Sequence, residues 1–343
     1  MSEIPSTMRA SVLLRQGVVE MQERPVPRPG PDEVLVQVRS VGVCGSDVHY
    51  YREGRIGDYV VTEPLVLGHE VSGVVVDVGP GVPEERVGER VAVEPQKPCR
   101  RCRQCKAGRL NLCPQMEFYA TPPIDGTFCD YVLAPADFAH RVPDEMSFHA
   151  AALLEPFSVG IWAGHKARLE PGARVFITGA GPIGALTALA ARAYGATEVV
   201  VSDLVESRRA RILDFGATGT VDPRDPGFDV STLEADAFIE CAGALPAVHA
   251  GLRALRGGGT AVLVGLGADE MNLPVSLIAM KEISLTGVFR YVDTWPKAMA
   301  VAMQPDTDLD ALVTGEYSLE DAEEALTSDS EPSSLKSIVV VSS

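Results

Sequence analysis

The chain has 343 residues, 46% of them apolar, which suits two domains with a core in each. A formal net charge of −17 weighs against nucleic acid or an anionic membrane as partner. No apolar run approaches the roughly 18 residues of a membrane span, and the first residues lack a basic-then-apolar export signal, so the expected setting is soluble and cytoplasmic.

Residues 8–14 and 34–41 are apolar or alternating and are separated by Pro25, Pro27, Pro29 and Pro31, a pattern of strands and stiff turns. Residues 70–78 (EVSGVVVDV) and 88–93 repeat it. Short strands with frequent Gly and Pro predict a compact β-barrel-like domain. Within this stretch Cys44 is followed by Ser46, Asp47 and His49, and Gly68 by His69 and Glu70. A thiolate, an imidazole and a carboxylate are the ligand set of a catalytic zinc with one position left open. Ser46 and His49 could carry a proton from that position to solvent, and Asp47 could fix the tautomer of His69.

Cys99, Cys102, Cys105 and Cys113 follow. Four thiolates within one loop can close a tetrahedral zinc site whose role is structural. An iron–sulfur cluster takes the same ligands, and spacing alone does not separate the two. With seven cysteines, four of them crowded, the chain reads as a metal protein of a reducing compartment, not a disulfide framework. Glu155 then ends the apolar run Leu153-Leu154, where a carboxylate needs a partner or a metal.

The second half changes period. Residues 174–178 form an expected strand, Gly179, Gly181 and Gly184 open an Ala/Leu-rich helix, and the strand 198–202 runs into Asp203. That is the dinucleotide fingerprint in its proper context: one glycine for the turn, one for close approach of a pyrophosphate, one for helix–strand packing. A carboxylate at Asp203 bonds a ribose 2′-hydroxyl and repels a 2′-phosphate, which favours NAD over NADP, although Arg208 follows closely enough to soften that preference. Further strands are expected at 237–241, 260–265 and 283–288, the last at the sheet edge, with a helix at 245–255. An acidic helix is expected over 319–326, then a strand over 337–341 that returns to the first domain.

This ordered set resembles the zinc-containing medium-chain dehydrogenase/reductase family over nearly the whole chain. VCGSDVHYY, FYATPPIDGTF, LLEPFSVG, ITGAGPIG and TGVFRYVDTWP look like its polyol branch, the sorbitol, xylitol and iditol dehydrogenases. The resemblance implies an α/β chain: a GroES-like β-barrel catalytic domain (1–156), a Rossmann doubly wound parallel-sheet domain (157–288) and a C-terminal segment (289–343) that returns to the barrel. By position, Cys44, His69 and Glu70 match ligands of the catalytic zinc, and Glu155 matches the acid that contacts zinc directly or through its water. The four clustered cysteines match a structural zinc, which makes two zinc ions per subunit; animal members of the branch often lack the second. Tyr50, Glu155, Arg290 and Tyr291 match polyol contacts. Gly179, Gly181, Ile183, Gly184, Asp203, Arg208, Val264, Gly265, Leu266, Val288, Phe289 and Arg290 match NAD contacts.

The implied reaction is oxidation of a polyol's secondary alcohol to a ketose, with zinc as Lewis acid, hydride passing to NAD in a cleft between the domains, and the proton leaving through Ser46, the cofactor ribose or Tyr50, and His49. The implied assembly is a homo-oligomer, a tetramer in preference to a dimer. Rival readings on the same scaffold are a glucose, threonine or other secondary-alcohol dehydrogenase, and from another class a catalytically silent NAD-binding protein. Intact Cys44, His69, Glu70 and Glu155 speak against the silent reading.

Overall fold

The computed structural model describes residues 4–328, 331 and 334–341. It divides into two compact units, one of residues up to Glu155 together with those from Asp308 onward, the other Pro156–Thr307. The return to the first unit therefore begins at Asp308 and not at residue 289. Strand Ser284–Gly287 is followed by helix Trp295–Ala302, whose Trp295 and Ala298 are buried and still belong to the second unit.

In the first unit, alternation of small β-branched residues builds a three-stranded and a seven-stranded sheet. Thr7–Arg15 pairs antiparallel with Val18–Pro25 and with Leu65–Val66. The larger sheet centres on Glu33–Gly42, flanked by Glu70–Val78 on one side and by the C-terminal strand Lys336–Val340 on the other. Burying their valines against Phe128, Leu319 and Leu326 makes one continuous core. The C-terminal strand thus returns to the barrel as expected, and it brings a parallel neighbour, Val313–Ser318, that the acidic pattern had hidden. Helix Ala322–Thr327 is shorter than the expected 319–326 stretch because Leu319–Asp321 form the turn that leads into it.

The register around Gly42 sets the space left for Glu70. Gly42 pairs with Glu70 on one side and Ile338 on the other, and a Cβ on Gly42 would stand 2.0 Å from the Glu70 carboxylate. Only glycine leaves that space open.

The second unit is a six-stranded parallel sheet. In chain order its strands are Arg174–Thr178, Glu198–Ser202, Gly219–Val221, Ala235–Glu240, Leu255–Leu263 and Ser284–Gly287, and in space they run third, second, first, fourth, fifth, sixth. That is the doubly wound order whose switch point lies between the first and fourth strands, here at Thr178 and Glu240. The edge position of Ser284–Gly287 agrees with its sequence. No helix among the described residues is long and apolar enough to cross a membrane.

Candidate metal centres and cofactor turn

The first cluster forms where the helix Gly45–Glu53 meets the turn that leads into strand Glu70–Val78. Cys44 caps the helix, and Asp47 in its first turn accepts the Cys44 N–H at 3.0 Å. The other Asp47 oxygen accepts the Gly68 N–H at 2.9 Å, so one buried carboxylate ties the helix to the His69–Glu70 turn. Gly68 has φ +86, and a Cβ there would meet the Phe128 ring at 2.6 Å, so this turn too requires glycine. The result is that ligand atoms of Cys44, His69 and Glu70 lie within 4.8 Å of one another. Asp47 sits 3.6 Å from His69 Nδ1, too long for the tautomer-fixing bond expected of it. Its role is to bind the two backbone amides.

Lys336 was not foreseen. Its Nζ donates to both Glu70 carboxylate oxygens at 2.7 Å and to the Val43 carbonyl at 2.9 Å, and it is 3% exposed. Each carboxylate oxygen keeps a further lone pair, so Glu70 can hold Lys336 and still face an ion. Glu155, 5% exposed, lies outside the three-residue cluster; burial pulls the Lys336 ammonium down, but Glu70, Cys44 and, least, Glu155 hold it above its ordinary range.

The charges at this site are unbalanced. Asp47, Glu70 and Glu155 are buried beside the Cys44 sulfur, and only the Lys336 ammonium and the His69 ring stand against them. Burial pulls the His69 pKa down, yet Asp47 and Cys44 outweigh it and raise it well above its ordinary value. A buried anionic pocket of soft and hard donors calls for a cation, and zinc fits both the donors and the spacing.

The second cluster is the cysteine loop. Cys102 Sγ lies 3.4 Å from Cys105 Sγ and 3.9 Å from Cys113 Sγ, and all four sulfurs fall within 4.8 Å. Four sulfurs at about 2.3 Å around one zinc stand about 3.8 Å apart. These distances are too long for a disulfide and leave room for one ion, not a multi-iron cluster. The Arg101 N–H is the main cause that lowers the Cys99 thiol to about 6, while burial and neighbouring sulfurs push Cys105 up to about 12. The site thus supplies its first thiolate readily, and a metal must draw out the last. Because these ligands staple a loop and not the core, Cys99→Ser should lose about one zinc per chain and lower the thermal midpoint by roughly 3–6 °C. Metal analysis with calorimetry checks this; unchanged metal and unchanged midpoint would rule out zinc here.

In the second unit the three glycines divide their work as the fingerprint requires. Gly179 has φ +92, and a Cβ on Gly184 would stand 1.9 Å from the Gly179 carbonyl oxygen. A Cβ on Gly181 would meet no protein atom within 4 Å, so that glycine answers to something outside the chain. Ile183 follows in the first turn of helix Pro182–Ala193. Gly179, Asp203, the 264–266 turn and the 288–290 segment each follow the C-terminal end of a parallel strand, the edge where such sheets take ligands.

Asp203 accepts the N–H of Ala180 at 2.7 Å and of Val205 at 2.8 Å, which joins the glycine turn to the next loop. Arg209 donates to the Asp203 carbonyl at 2.7 Å; Arg208 is half-buried on helix Glu206–Arg211.

The remaining expected residues are scattered in character. Ser46 and His49 share helix Gly45–Glu53, with His49 Nδ1 held 3.1 Å from Glu53 and its side chain 42% exposed. Tyr50 is enclosed in the barrel core, with 3% exposure. Arg290 sits at φ +56 with its guanidinium 4.7 Å from the Phe289 ring centre. Tyr291 is fully buried, edge-on against Trp295 at 6.2 Å.

Family models match both halves: an alcohol dehydrogenase GroES-like domain over residues 30–144 and a zinc-binding dehydrogenase over 182–304. Sorbitol dehydrogenase of Gallus gallus is 43% identical, over 92% of this chain and 91% of its own. The structure of L-idonate 5-dehydrogenase from Escherichia coli is 31% identical with a TM-score of 0.91, covering 98% of each chain. A Sinorhizobium meliloti protein described as a zinc-binding dehydrogenase, solved with NADP, is 30% identical with a TM-score of 0.90, over 98% of this chain and 100% of that one.

Proposed function

Since the chain belongs to the zinc-dependent medium-chain dehydrogenase/reductase family, in its polyol branch, we infer that it oxidises a secondary hydroxyl of a linear polyol to a ketone and passes the hydride to NAD. The observation that carries this reading is the convergence of Cys44, His69 and Glu70 in a buried pocket with more anions than cations. A zinc ion bound there supplies Lewis acidity that brings an alcohol pKa toward neutrality. The chain's own residues do the rest. Asp47 and Gly42 hold the ligands at their spacing, and Lys336 fixes the orientation of Glu70. Glu155, buried near Lys336, would orient a water or hydroxyl bound at the site. Ser46 and the solvent-exposed His49, three residues apart on one helix, offer a route by which the alcohol proton reaches bulk water.

For the second zinc, the cysteine loop supplies a closed site with no chemistry of its own. Seven cysteines, none in a disulfide, suit a cytoplasmic setting. Assembly into a homo-oligomer is supported by the sheet edge at Ser284–Gly287 and the exposed Leu285, Val275 and Met280; the tetramer, in preference to a dimer, rests on the resemblance to the polyol branch alone.

The cofactor preference turns on Asp203. Its replacement by Ala would also cut the bonds to both Ala180 and Val205, whereas Asp203→Asn keeps an acceptor for one of them and is the less disruptive probe. Losing the charged bond to a ribose hydroxyl is worth roughly 1.5–3 kcal/mol, or about ten- to a hundredfold in NAD affinity, while tolerance of NADP should rise. Steady-state kinetics with both cofactors measures this; a wild type that already prefers NADP would show that Asp203 does not select.

The function as a whole is tested by a panel of xylitol, sorbitol and 2-butanol with NAD and NADP, run beside a zinc count. The expected result is about two zinc ions per chain and highest efficiency on a polyol with NAD. Preference for 2-butanol would move the substrate assignment to a simple secondary-alcohol dehydrogenase, and a chain without the zinc bound by Cys44 would remove the enzyme reading.

A further inference from the structure

Glu240 is a buried carboxylate that neither the metal chemistry nor the glycine fingerprint uses. It is the last residue of the fourth strand and pairs with Thr178 across the switch point of the sheet. It is 2% exposed. Its acceptors are filled by backbone amides: Oε1 receives the N–H of Ala242 and of Gly243, each at 2.7 Å. Its backbone carbonyl receives Val264 and Gly265 at 2.9 and 3.0 Å. Burial raises the carboxyl pKa, and the N–H groups of Ala242, Gly243, Gly265 and Ala244 oppose that rise. One residue therefore gathers amides from two successive loops, 241–244 and 264–266.

The two loops are also locked to each other. A Cβ on Gly243, at φ +67, would stand 2.1 Å from the Leu266 carbonyl oxygen, and a Cβ on Gly265 would stand 2.4 Å from Gly243 N and 2.7 Å from Glu240 Oε2. Nothing larger than glycine fits, so the position of the 264–266 turn is set by the loop beneath it and by the carboxylate beneath both.

We propose that Glu240 is the positioning residue of the second mononucleotide half of this sheet, fixing the 264–266 turn for the nicotinamide end of the cofactor. This rests on the reading that the second unit binds NAD. In a doubly wound sheet the first three strands take the adenylate half, here through Gly179–Gly184 and Asp203, and the last three take the other. Glu240 stands in the second set alone. Exchange of its carboxylate for an amide puts a donor among the amides of the 241–244 loop and beside Gly265, so the second-half loops should shift, whereas the glycine turn, which meets the 241–242 loop at Gly179 but is also tied to Asp203 through the Ala180 N–H, should hold.

The test compares two ligands on the same protein. NADH uses both halves; ADP uses only the first. Glu240→Gln should weaken NADH binding about tenfold, with ADP binding unchanged within about twofold, by fluorescence titration and calorimetry. The KM for NAD should rise while the KM for polyol holds. Should the amide variant not fold, Glu240→Asp, which keeps the charge but withdraws it by one methylene, is expected to give the same split. A wild type that binds neither NADH nor ADP overturns the cofactor reading and this proposal with it. A wild type that binds both, beside a variant that binds NADH equally well, overturns the proposal alone. Equal weakening of both ligands would mean general loosening of the sheet, and would overturn it too.

Discussion

Lys336→Met should destabilise the first unit by about 3–5 kcal/mol, because it leaves the Glu70 carboxylate buried without the ammonium that now binds both of its oxygens. For a unit of this size that lowers the thermal midpoint by on the order of 10 °C. The loss should be largest in protein stripped of metal, where no other cation compensates the carboxylate. Adding Glu70→Gln should return most of it, since removal of both charges leaves neither stranded. The double variant is not expected to regain activity, because Glu70 is proposed as a ligand. Calorimetry on the two single variants and the double variant measures the coupling. A Lys336→Met protein as stable as wild type would mean that Glu70 takes up a proton at little cost, and that Lys336 does not hold it.

That pair also marks the limit of reading the chain unaided. Cys44, His69 and Glu70 were legible because a thiolate, an imidazole and a carboxylate stood in a recognisable order. The four cysteines were legible because ligands of one loop must be close in sequence. Lys336 is 266 residues from Glu70, and what joins them is the register of Lys336–Val340 and Glu70–Val78 on either side of Glu33–Gly42. No local pattern carries that. A lysine at the head of the β-branched run SIVVV was the one available signal, since a charge at such a position must find a partner.

The Rossmann half was more legible than the barrel. Strands 174–178 and 198–202 fall where the period placed them, because parallel strands buried on both faces read as unbroken apolar runs. Strand Val18–Pro25, half-exposed and rich in Glu and Gln, gives no such run. The late return at Asp308 escaped for a related reason: helix Trp295–Ala302 continues the second unit's βα alternation past residue 289, and only Trp295 and Ala298 betray which core they enter. Asp203 was read as a ribose ligand, and its bonds to Ala180 and Val205 add a structural duty that spacing alone does not reveal.

Arg290 allows function and stability to be separated. It is a non-glycine residue at φ +56, a left-handed conformation that strains an L side chain by roughly 1–2 kcal/mol. Asp293, three residues on, shares the same strain at φ +53. Strain of this kind persists where a side chain is needed in a particular place. Arg290→Gly relieves it, at the expense of about 1 kcal/mol of extra unfolded-chain entropy and of the contact with Phe289, so stability should change little. Activity should not. If the guanidinium positions the hydroxyls of a linear polyol, efficiency on xylitol or sorbitol should fall by on the order of a hundredfold, while a short secondary alcohol, with no further hydroxyls to hold, changes much less. A rise confined to the KM for NAD would assign Arg290 to the cofactor instead, the other role its position suggests. An equal fall on polyol and short alcohol, or a clear loss of stability, would make the residue structural, and the polyol assignment would then rest on the family's other features alone.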